Sequence, residues 1–175
     1  MKLVLPCIEF KDKAIDYINE FYEYNSEING SGNLDHFLKE STYEKWLENV
    51  KGCIDITNNI GTEVPKITYF YVREDDERII GMVNIRLAIN DYLRKEGGHI
   101  GYSIRPTERR KNYGTQLLSE ALKVCDENGI KTVLVSCASQ NIASSGVIKK
   151  CGGVLKNESY CDSVNGMLQM YEIRR

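Results

Sequence analysis

The sequence predicts a mixed α/β (α+β) fold, in which a mostly antiparallel central sheet carries helices on both faces. Three observations support this prediction: paired β-rich runs separated by polar turns, amphipathic segments with helical spacing, and a strand–helix–strand order between His99 and Cys137. The chain has 175 residues, of which 42% are hydrophobic and 27% charged, as is typical of one globular domain. We therefore expect a single domain over residues 1–175.

The first half of the chain is predicted to form a strand, two helices and a hairpin. Ile18 and Phe21 recur on one face of the first helix, and Trp46 and Val50 on one face of the second. Ser41 is the expected N-cap of the second helix, because a serine hydroxyl can accept a hydrogen bond from a first-turn N–H. In chain order the predicted elements are a strand at 2–5, a helix at 12–24, a loop at 25–33, a helix at 42–50 and hairpin strands at 67–73 and 78–87.

The second half is predicted to alternate strands and helices and to close with another hairpin. Leu118, Ala121, Leu122 and Cys125 form an apolar stripe at helical spacing, and Gly129 fits the C′ position at which helices commonly end. The strands around this helix form the predicted βαβ unit. The predicted elements are a polar connection at 89–98, a strand at 99–104, a helix at 115–128, a strand at 132–137, a helix at 142–151 and hairpin strands at 153–160 and 167–173.

Composition and charge exclude several functional classes. A net charge of −2 argues against general nucleic-acid binding, and the apolar runs are too short to span a membrane. Residues 1–100 carry a charge balance of −6 and residues 101–175 a balance of +4. The acidic half could attract a cationic acceptor such as an amine, although solvated surface charge explains it equally well.

The six cysteines are predicted to be free thiols in a reducing cytoplasm. None forms a C-x-x-C pair, and neither His36 nor His99 lies at the spacing of a zinc site, so no metal is expected. The apolar residues 1–5 are too few for a signal peptide, and Pro6 ends the run. These observations favour a cytoplasmic protein. The cysteines are Cys7, Cys53, Cys125, Cys137, Cys151 and Cys161.

The most informative stretch is 104–118, IRPTERRKNYGTQLL, in which a strand, a short cationic turn and a helix follow one another. Main-chain N–H groups at a helix N-terminus, together with the helix dipole, favour the binding of phosphate groups. Arg109, Arg110 and Lys111 add positive charge, and Gly114 allows the backbone to approach a ligand closely. The stretch predicts a pyrophosphate site, and the lack of a P-loop or dinucleotide fingerprint counts against a nucleotide-binding enzyme.

Residues 109–114, RRKNYG, resemble the acyl-CoA loop of the GCN5-related N-acetyltransferases (GNAT), whose pattern is Gln/Arg-x-x-Gly-x-Gly/Ala. Residues 141–152, NIASSGVIKKCG, are similar to the Asn-x-x-Ala/Ser segment of that family, which ends in glycine. The resemblance covers nearly the whole chain and is strongest over 99–155. Residues 85–102 are similar to a bacterial subgroup of acetyltransferases.

The resemblance implies the acyl-CoA N-acyltransferase fold, acetyl-CoA as acyl donor, and direct transfer of the acetyl group to a primary amine in a ternary complex. It also implies that residues 1–98 mainly form the acceptor side, 99–155 the acetyl-CoA-binding core and 156–175 a C-terminal hairpin. Pantetheine amides would pair with the main chain near 103–105. The implied cofactor-binding residues are Ser103, Ile104, Arg105, Arg109, Arg110, Lys111, Asn112, Tyr113, Gly114, Thr115, Asn141 and Ser144.

Two positions depart from the family pattern. Asn112 stands where the family prefers glycine, but asparagine tolerates the left-handed conformation better than most residues. Ile148 occupies a position at which related enzymes often carry a tyrosine that protonates the leaving thiolate, so another tyrosine or water would have to serve. Tyr102 is assigned a structural role. The alternative function is therefore a non-catalytic acyl-CoA-binding or regulatory module.

The catalytic base and the acceptor pocket are expected near the start of the strand at 99–104. Some relatives place a glutamate at the position of Gly98, and the neighbouring His99 is the candidate base, because a pKa near 6.5 suits that role at neutral pH. A structural histidine is the alternative. Arg86 and Asn90 are the candidate acceptor-pocket residues. The sequence does not determine the acceptor, a small-molecule amine or a peptide, and it permits a homodimer.

Overall fold

Two antiparallel sheets form the framework of the protein, which a computed structural model describes for residues 1–54 and 64–175. The first sheet has the strand order β1-β2-β3-β4 and the second the order β5-β7-β6. The predicted mixed α/β fold with a mostly antiparallel sheet is confirmed. The strands are β1 (Lys2–Val4), β2 (Lys66–Val72), β3 (Ile79–Arg86), β4 (Ile100–Ile104), β5 (Thr132–Ala138), β6 (Val154–Cys161) and β7 (Gly166–Arg174).

Helices cover both faces of the strands, as predicted. One core lies beneath α4 and contains Leu117, Leu118 and Leu122, and the other lies beneath α1–α3. In the second core the Trp46 ring stacks on Phe70 at a centroid distance of 5.9 Å. The helices are α1 (Lys11–Glu23), α2 (Leu34–Glu40), α3 (Tyr43–Gly52), α4 (Tyr113–Glu127) and α5 (Ile142–Lys150), with short helical turns at Ile8–Phe10, Leu93–Gly97, Pro106–Glu108 and Asp162–Val164.

The two sheets meet where β4 begins. An isolated bridge joins Gly98 to Val135, and the His99 N–H donates to the Leu134 carbonyl at 2.7 Å. Beyond this contact β4 pairs with β3 and β5 pairs with β7, so the two strands of the predicted βαβ unit belong to different sheets. One edge of β4 therefore remains open towards its C-terminal end.

The structure corrects one predicted element boundary and adds two short elements. The N-cap of α3 is Thr42 rather than Ser41, because Thr42 has the extended backbone of a cap and its hydroxyl accepts from the Lys45 N–H at 3.3 Å. A helix that the sequence pattern did not predict is α2, which has seven residues and follows a left-handed Asn33. The connection at 89–98 contains the π-helical turn Leu93–Gly97.

The loop between α1 and α2, residues 25–33, lies against β3 and β4. A Cβ atom added to Gly30 would lie 2.4 Å from the Gly101 carbonyl oxygen and 2.7 Å from the Tyr102 Cα. Gly30 also has a φ of 77°, which favours glycine. The Ser103 hydroxyl donates to the Asn29 carbonyl. The close backbone contact at Gly30 therefore fixes this loop on the open strand.

No helix in the described ranges combines the length and the apolar content needed to cross a membrane.

Gly30 and Gly129 provide a matched test of the loop contact. Both have φ above 70°, but a Cβ at Gly129 would meet no atom within 4 Å. Gly129→Ala should lower the free energy of unfolding by about 1–2 kcal/mol, the cost of the left-handed conformation. Gly30→Ala should lower it by about 1–3 kcal/mol more, because the methyl group collides with main-chain atoms. Urea unfolding of the two variants measures the difference, and equal losses would contradict this account of the loop.

Candidate active site

A cavity of about 690 Å³ opens beside the free edge of β4, within the size range of small-molecule sites. Its walls are the first turns of α4 and α5, the end of β4 and the loop after α1. Ten of the twelve predicted cofactor residues line it; Arg105 and Lys111 do not. The lining residues are Asn25, Ser26, Glu27, Asn29, Tyr102, Ser103, Ile104, Glu108, Arg109, Arg110, Asn112, Tyr113, Gly114, Thr115, Asn141, Ala143, Ser144, Val147 and Lys150.

The first turn of α4 presents unbonded main-chain donors to this cavity. Asn112 is the N-cap and adopts the left-handed conformation with φ 64°, as expected of an asparagine standing in for glycine. Gln116 donates to the Asn112 carbonyl at 3.2 Å. The N–H groups of the three preceding residues, 113–115, have no acceptor one turn earlier within the helix. The helix dipole adds partial positive charge at the same place.

Two of the three basic side chains in the turn reach the cavity. Arg109 donates through Nε to the Ile104 carbonyl at 3.1 Å and through Nη2 to the Ser26 hydroxyl at 2.7 Å. Arg110 also lines the cavity. The prediction that Lys111 binds the cofactor is not supported by the geometry, because its Nζ lies 2.8 Å from Glu108 Oε2.

Glu108 is a buried carboxylate that organises this turn. Its Oε1 accepts from Arg73 at 3.2 Å and from Arg78 at 3.4 Å, while Oε2 faces Lys111. Burial alone would raise the pKa of Glu108, but the hydrogen bonds from Lys111 and Arg73 outweigh it and lower that pKa. The carboxylate therefore stays ionised and pairs with Lys111, which is not among the lining residues.

Gly114 permits a close approach between secondary-structure elements. A Cβ added there would lie 3.2 Å from Val147 Cγ2 on α5 and 3.8 Å from Ile104 Cγ1 on β4. From the sequence, this glycine was expected to allow a ligand to approach the backbone closely. The contact in the structure is instead between α4 and the two elements that form the opposite walls of the cavity.

Alternating main-chain groups of β4 face the cavity. The Arg105 N–H donates to the Ile80 carbonyl at 2.9 Å, and the Arg86 N–H to the His99 carbonyl at 2.8 Å. Since hydrogen-bonded pairs alternate along antiparallel strands, Ser103 also directs its main-chain groups towards β3. The open edge therefore presents the main-chain groups of Tyr102 and Ile104. Pantetheine amides were expected to pair with the main chain near 103–105. The structure corrects this for Ser103 and Arg105, whose main-chain groups pair with β3 instead.

Arg105 is a structural side chain rather than part of the cavity wall. It is 1% exposed, and its Nη1 lies 2.8 Å from both Asp16 Oδ2 and Glu20 Oε2. Its Nε donates to the Ile79 carbonyl at 2.9 Å. Glu20 also accepts from the Thr107 N–H and hydroxyl. Burial alone would raise the pKa of Glu20. The hydrogen bonds from Thr107 and Arg105 outweigh that effect, so the pKa of Glu20 is lowered. The network ties the end of β4 to α1.

The first turn of α5 forms the opposite wall. Asn141 caps the helix, and its Oδ1 accepts from the Ser144 N–H at 3.0 Å. The Ser144 hydroxyl lies 3.2 Å from the Tyr102 hydroxyl. Burial raises the pKa of Tyr102 to about 12, against a smaller lowering by the Ser144 hydrogen bond. One turn further along, Ile148 is completely buried in the core.

The cysteines nearest this wall are protonated thiols. Burial raises the pKa of both Cys137 and Cys151, and the Ser144 hydroxyl only partly offsets the effect at Cys137. All six cysteines are free. A raised pKa makes a thiol a poor nucleophile at neutral pH, so the structure supports the prediction of structural thiols for this pair.

His99 lies outside the cavity lining and serves the main chain. Its ring is 7% exposed, and Nδ1 accepts from the Leu134 N–H at 3.0 Å. The proton of the neutral ring is then on Nε2, so neither nitrogen has a free lone pair. Burial, with smaller contributions from Arg94 and Arg86, lowers the pKa of His99 to about 4. The geometry favours the structural alternative over the predicted base.

The two predicted acceptor-pocket residues also lie outside the lining. Arg86 Nη1 donates to the Gly98 carbonyl at 3.1 Å and the Gly97 carbonyl at 3.3 Å. Asn90 Oδ1 accepts from the Leu93 N–H at 2.9 Å. Both side chains thereby hold the turn Leu93–Gly97, and the structure does not bring them to the same cavity as the predicted cofactor residues.

The loop after α1 forms a wall of the cavity that no sequence motif predicted. Asn25, Ser26, Glu27 and Asn29 line the cavity although they are distant in sequence from the other lining residues. The asparagine-rich, glycine-rich composition indicated a loop, and only the contact of Gly30 with β4 shows where that loop lies. Tyr102, interpreted as structural, also lines the cavity.

Comparison with known proteins identifies the family. A family model described as "Acetyltransferase (GNAT) domain" matches residues 16–154. The chain belongs to the GNAT acetyltransferase family. Its enzyme class is therefore that of the acyltransferases, and the predicted superfamily is confirmed. A search of the curated proteins found no match.

Solved structures share the fold at low sequence identity. RimJ from Mycobacterium smegmatis, solved with CoA-disulfide, is 11% identical, with a TM-score of 0.73 over 98% of this chain and 80% of that chain. The microcin C7 self-immunity acetyltransferase MccE, solved with acetyl-CoA and AMP, is 17% identical, with a TM-score of 0.67 over 99% and 91%. The ribosomal L7/L12 α-N-protein acetyltransferase RimL, solved with coenzyme A, is 17% identical, with a TM-score of 0.67 over 98% and 92%.

The role of His99 can be tested by titration. The folded ring should remain neutral from pH 8 down to about 5, because its pKa lies near 4. The unfolded chain takes up a proton near pH 6.5, so stability should fall as the pH drops from about 6.5 towards 4. The loss between pH 7 and 5 should be about 1–2 kcal/mol. NMR of the imidazole and urea unfolding at both pH values measure these effects.

The matched control is His99→Asn, whose Oδ1 can replace Nδ1 as acceptor for the Leu134 N–H but does not titrate. This variant should lose less stability between pH 7 and 5 than the wild-type chain. An imidazole signal of His99 that titrates near pH 6.5 would restore this residue as a candidate base.

Proposed function

We propose that the protein is an acetyl-CoA-dependent N-acetyltransferase that transfers an acetyl group to a primary amine directly, in a ternary complex. The observation that carries the proposal is the convergence of two features on one cavity: the free N-terminal donors of α4 and the unpaired edge of β4. The GNAT family match supports acetyl transfer. RimJ, MccE and RimL, which share the fold, were solved with CoA-disulfide, acetyl-CoA and coenzyme A respectively.

The lining residues fit the chemical parts of acetyl-CoA. The N–H groups of 113–115 and the guanidinium groups of Arg109 and Arg110 suit a pyrophosphate. Lys150, the last residue of α5, also lines the cavity and can pair with a further phosphate. The main-chain N–H and C=O of Tyr102 and the N–H of Ile104 can pair with the amides of a pantetheine arm, in the manner of an added strand, whereas the Ile104 carbonyl already accepts from Arg109.

Acetyl-CoA supplies an activated acetyl thioester, and the residues of the cavity supply binding and orientation. The main-chain N–H groups on the open edge of β4 can donate to a carbonyl oxygen that gains negative charge. Glu27 lies in the wall formed by the loop after α1, and its carboxylate favours the approach of a cationic amine. The acceptor would thus approach the cavity on the side of Glu27, whether it is a small amine or a peptide.

A non-catalytic acyl-CoA-binding module is the second candidate, and the burial of Ile148 favours it. Ile148 lies at the position where related enzymes often carry a proton-donating tyrosine, and here that position belongs to the core.

The division into an acceptor side at 1–98 and a cofactor core at 99–155 stays a prediction. Residues of the loop at 25–29, on the predicted acceptor side, also line the proposed cofactor cavity. A cytoplasmic location, a bacterial subgroup and a homodimer also stay predictions.

Thiol release from acetyl-CoA over a panel of polyamines, amino acids, aminoglycosides and peptide N-termini tests the function. We expect amine-dependent release of CoA with matching formation of the acetylated amine, detected by mass spectrometry. Binding of CoA without release on any acceptor would favour the module. Stabilisation by ATP or NAD but not by CoA in a melting assay would contradict both functions.

Gly114→Val tests the cavity as the CoA site. The added γ carbons would collide with Val147, since a Cβ alone already lies 3.2 Å from Val147 Cγ2. The first turns of α4 and α5 must then separate, and CoA affinity should fall about tenfold or more, equivalent to about 1.4 kcal/mol. The matched control is Gly146→Val, because a Cβ there meets nothing within 4 Å and Gly146 is not part of the lining. Calorimetric titration with CoA measures both variants, and equal affinities would refute the site assignment.

A further inference from the structure

The proposed acetyl transfer leaves one proton without an evident donor. When the thioester is cleaved, the leaving sulfur carries a negative charge, and a positioned acid accelerates this step. Ile148 cannot donate a proton, and it is fully buried in the core beneath α5. If the donor is a protein side chain rather than water, it must come from another element that faces the cavity.

The described lining residues include two phenols, Tyr102 on β4 and Tyr113 on α4. Tyr113 follows the N-cap of α4, at the end of the cavity with the arginines and the free helix donors. Tyr102 lies two residues before the end of β4, on the side of the cavity formed by the first turn of α5. Phosphate groups bound at α4 and a thioester further along β4 would place the sulfur nearer to Tyr102.

The orientation of the Tyr102 hydroxyl is defined by α5. Ser144 Oγ lies 3.2 Å from Tyr102 Oη, and the Ser144 N–H donates to the Asn141 cap at 3.0 Å. The phenol is thus held against a capped helix turn, and both Tyr102 and Ser144 belong to the cavity lining. A rigid donor at a cavity wall is the arrangement that a general acid requires.

We propose that Tyr102, supported by Ser144, is the residue that protonates the departing thiolate, and that it replaces a donor at position 148. The inference rests on the proposed acetyltransferase function. Tyr102 would be a catalytic residue that touches the sulfur, and Ser144 a positioning residue that acts through it.

The proton and electron balance of the step is complete. The amine nitrogen forms a bond to the acetyl carbon, the carbon–sulfur bond breaks, and its electron pair goes to sulfur. Tyr102 gives its hydroxyl proton to that sulfur and becomes a tyrosinate. The amine releases one proton to solvent, and the tyrosinate recovers one from solvent. The products are one acetylated amine and one free thiol, with no other reactant.

The protonation state of Tyr102 suits this role. Burial raises its pKa to about 12, so the phenol carries its proton over the whole neutral range. A phenol with this pKa yields its proton much more readily than an aliphatic hydroxyl such as that of Ser144. The buried thiols of Cys137 and Cys151 are also protonated, but neither residue belongs to the lining.

The first test measures contact with the sulfur without any turnover. CoA and desulfo-CoA, which carries hydrogen in place of the thiol, are titrated against the wild-type chain and Tyr102→Phe at a pH where the CoA thiol ionises. We expect desulfo-CoA to bind both proteins equally and CoA to bind Tyr102→Phe several-fold more weakly. Equal affinities of the two proteins for CoA would overturn the contact.

The second test measures the chemical step. Tyr102→Phe should lower kcat by about 100-fold with little change in the KM for acetyl-CoA, within the range of general acid catalysis. Tyr71→Phe is the matched control and should keep wild-type turnover, because its buried hydroxyl bonds to Gln116 and lies outside the cavity. Ser144→Ala should lose less activity than Tyr102→Phe; a larger loss would make Ser144 the donor and overturn the assignment.

A fluorinated tyrosine at position 102 separates acid catalysis from packing. Fluorination lowers the pKa of the phenol with little change in shape, so the alkaline limb of the kcat profile should move to lower pH. An unmoved limb would overturn the proposal even if Tyr102→Phe is inactive.

Failure of the proposed function and failure of the Tyr102 assignment give different results. If the wild-type chain shows no amine-dependent turnover, the proposed function is wrong and the Tyr102 assignment is wrong with it. If the wild-type chain turns over and Tyr102→Phe retains that turnover, only the Tyr102 assignment is wrong.

Discussion

The separation of β4 from β5 is the constraint on which the candidate site depends. The strands touch at Gly98, His99 and Leu134, and each then pairs with a partner in its own sheet. A buried strand edge with unpaired N–H and C=O groups is costly unless another partner satisfies them. The open edge of β4 faces the cavity instead, where its main-chain groups are available to an extended ligand. His99 stabilises the point of separation, which explains a histidine there without catalysis.

Buried charge keeps the end of β4 in place. Arg105 carries its guanidinium into the interior, where Glu20 and Asp16 balance it. Such networks give little net stability relative to apolar packing, but removing one partner leaves an uncompensated charge. Glu20 also holds the Thr107 main chain. The network therefore acts by fixing geometry: it holds the start of the turn that leads from β4 through Arg109 and Asn112 into α4.

The sequence predicted most elements from local signals, and it predicted ten lining residues from local signals together with the resemblance to the GNAT family. Helical periodicity, the hairpin turns and the stretch 104–118 are readable within short windows. The errors arose where distant contacts decide. The short helix α2 follows a left-handed Asn33 and has only one fully buried side chain, Leu34. His99 is bonded to a residue 35 positions away, and Lys111 is held by Glu108 within a network that includes Arg73 and Arg78.

Ile148 and Tyr102 show that a family motif predicts which residues line a site better than it predicts what each of those residues does. Position 148 faces the core here, so apolar packing determines its identity. The phenol on the adjacent strand reaches the first turn of the same helix, where Ser144 meets it. A proton donor needs only the correct position and acidity, and neither requirement specifies the element that carries it. Loss of the donor from α5 is therefore compatible with acid catalysis, provided that β4 supplies the hydroxyl at the same wall of the cavity.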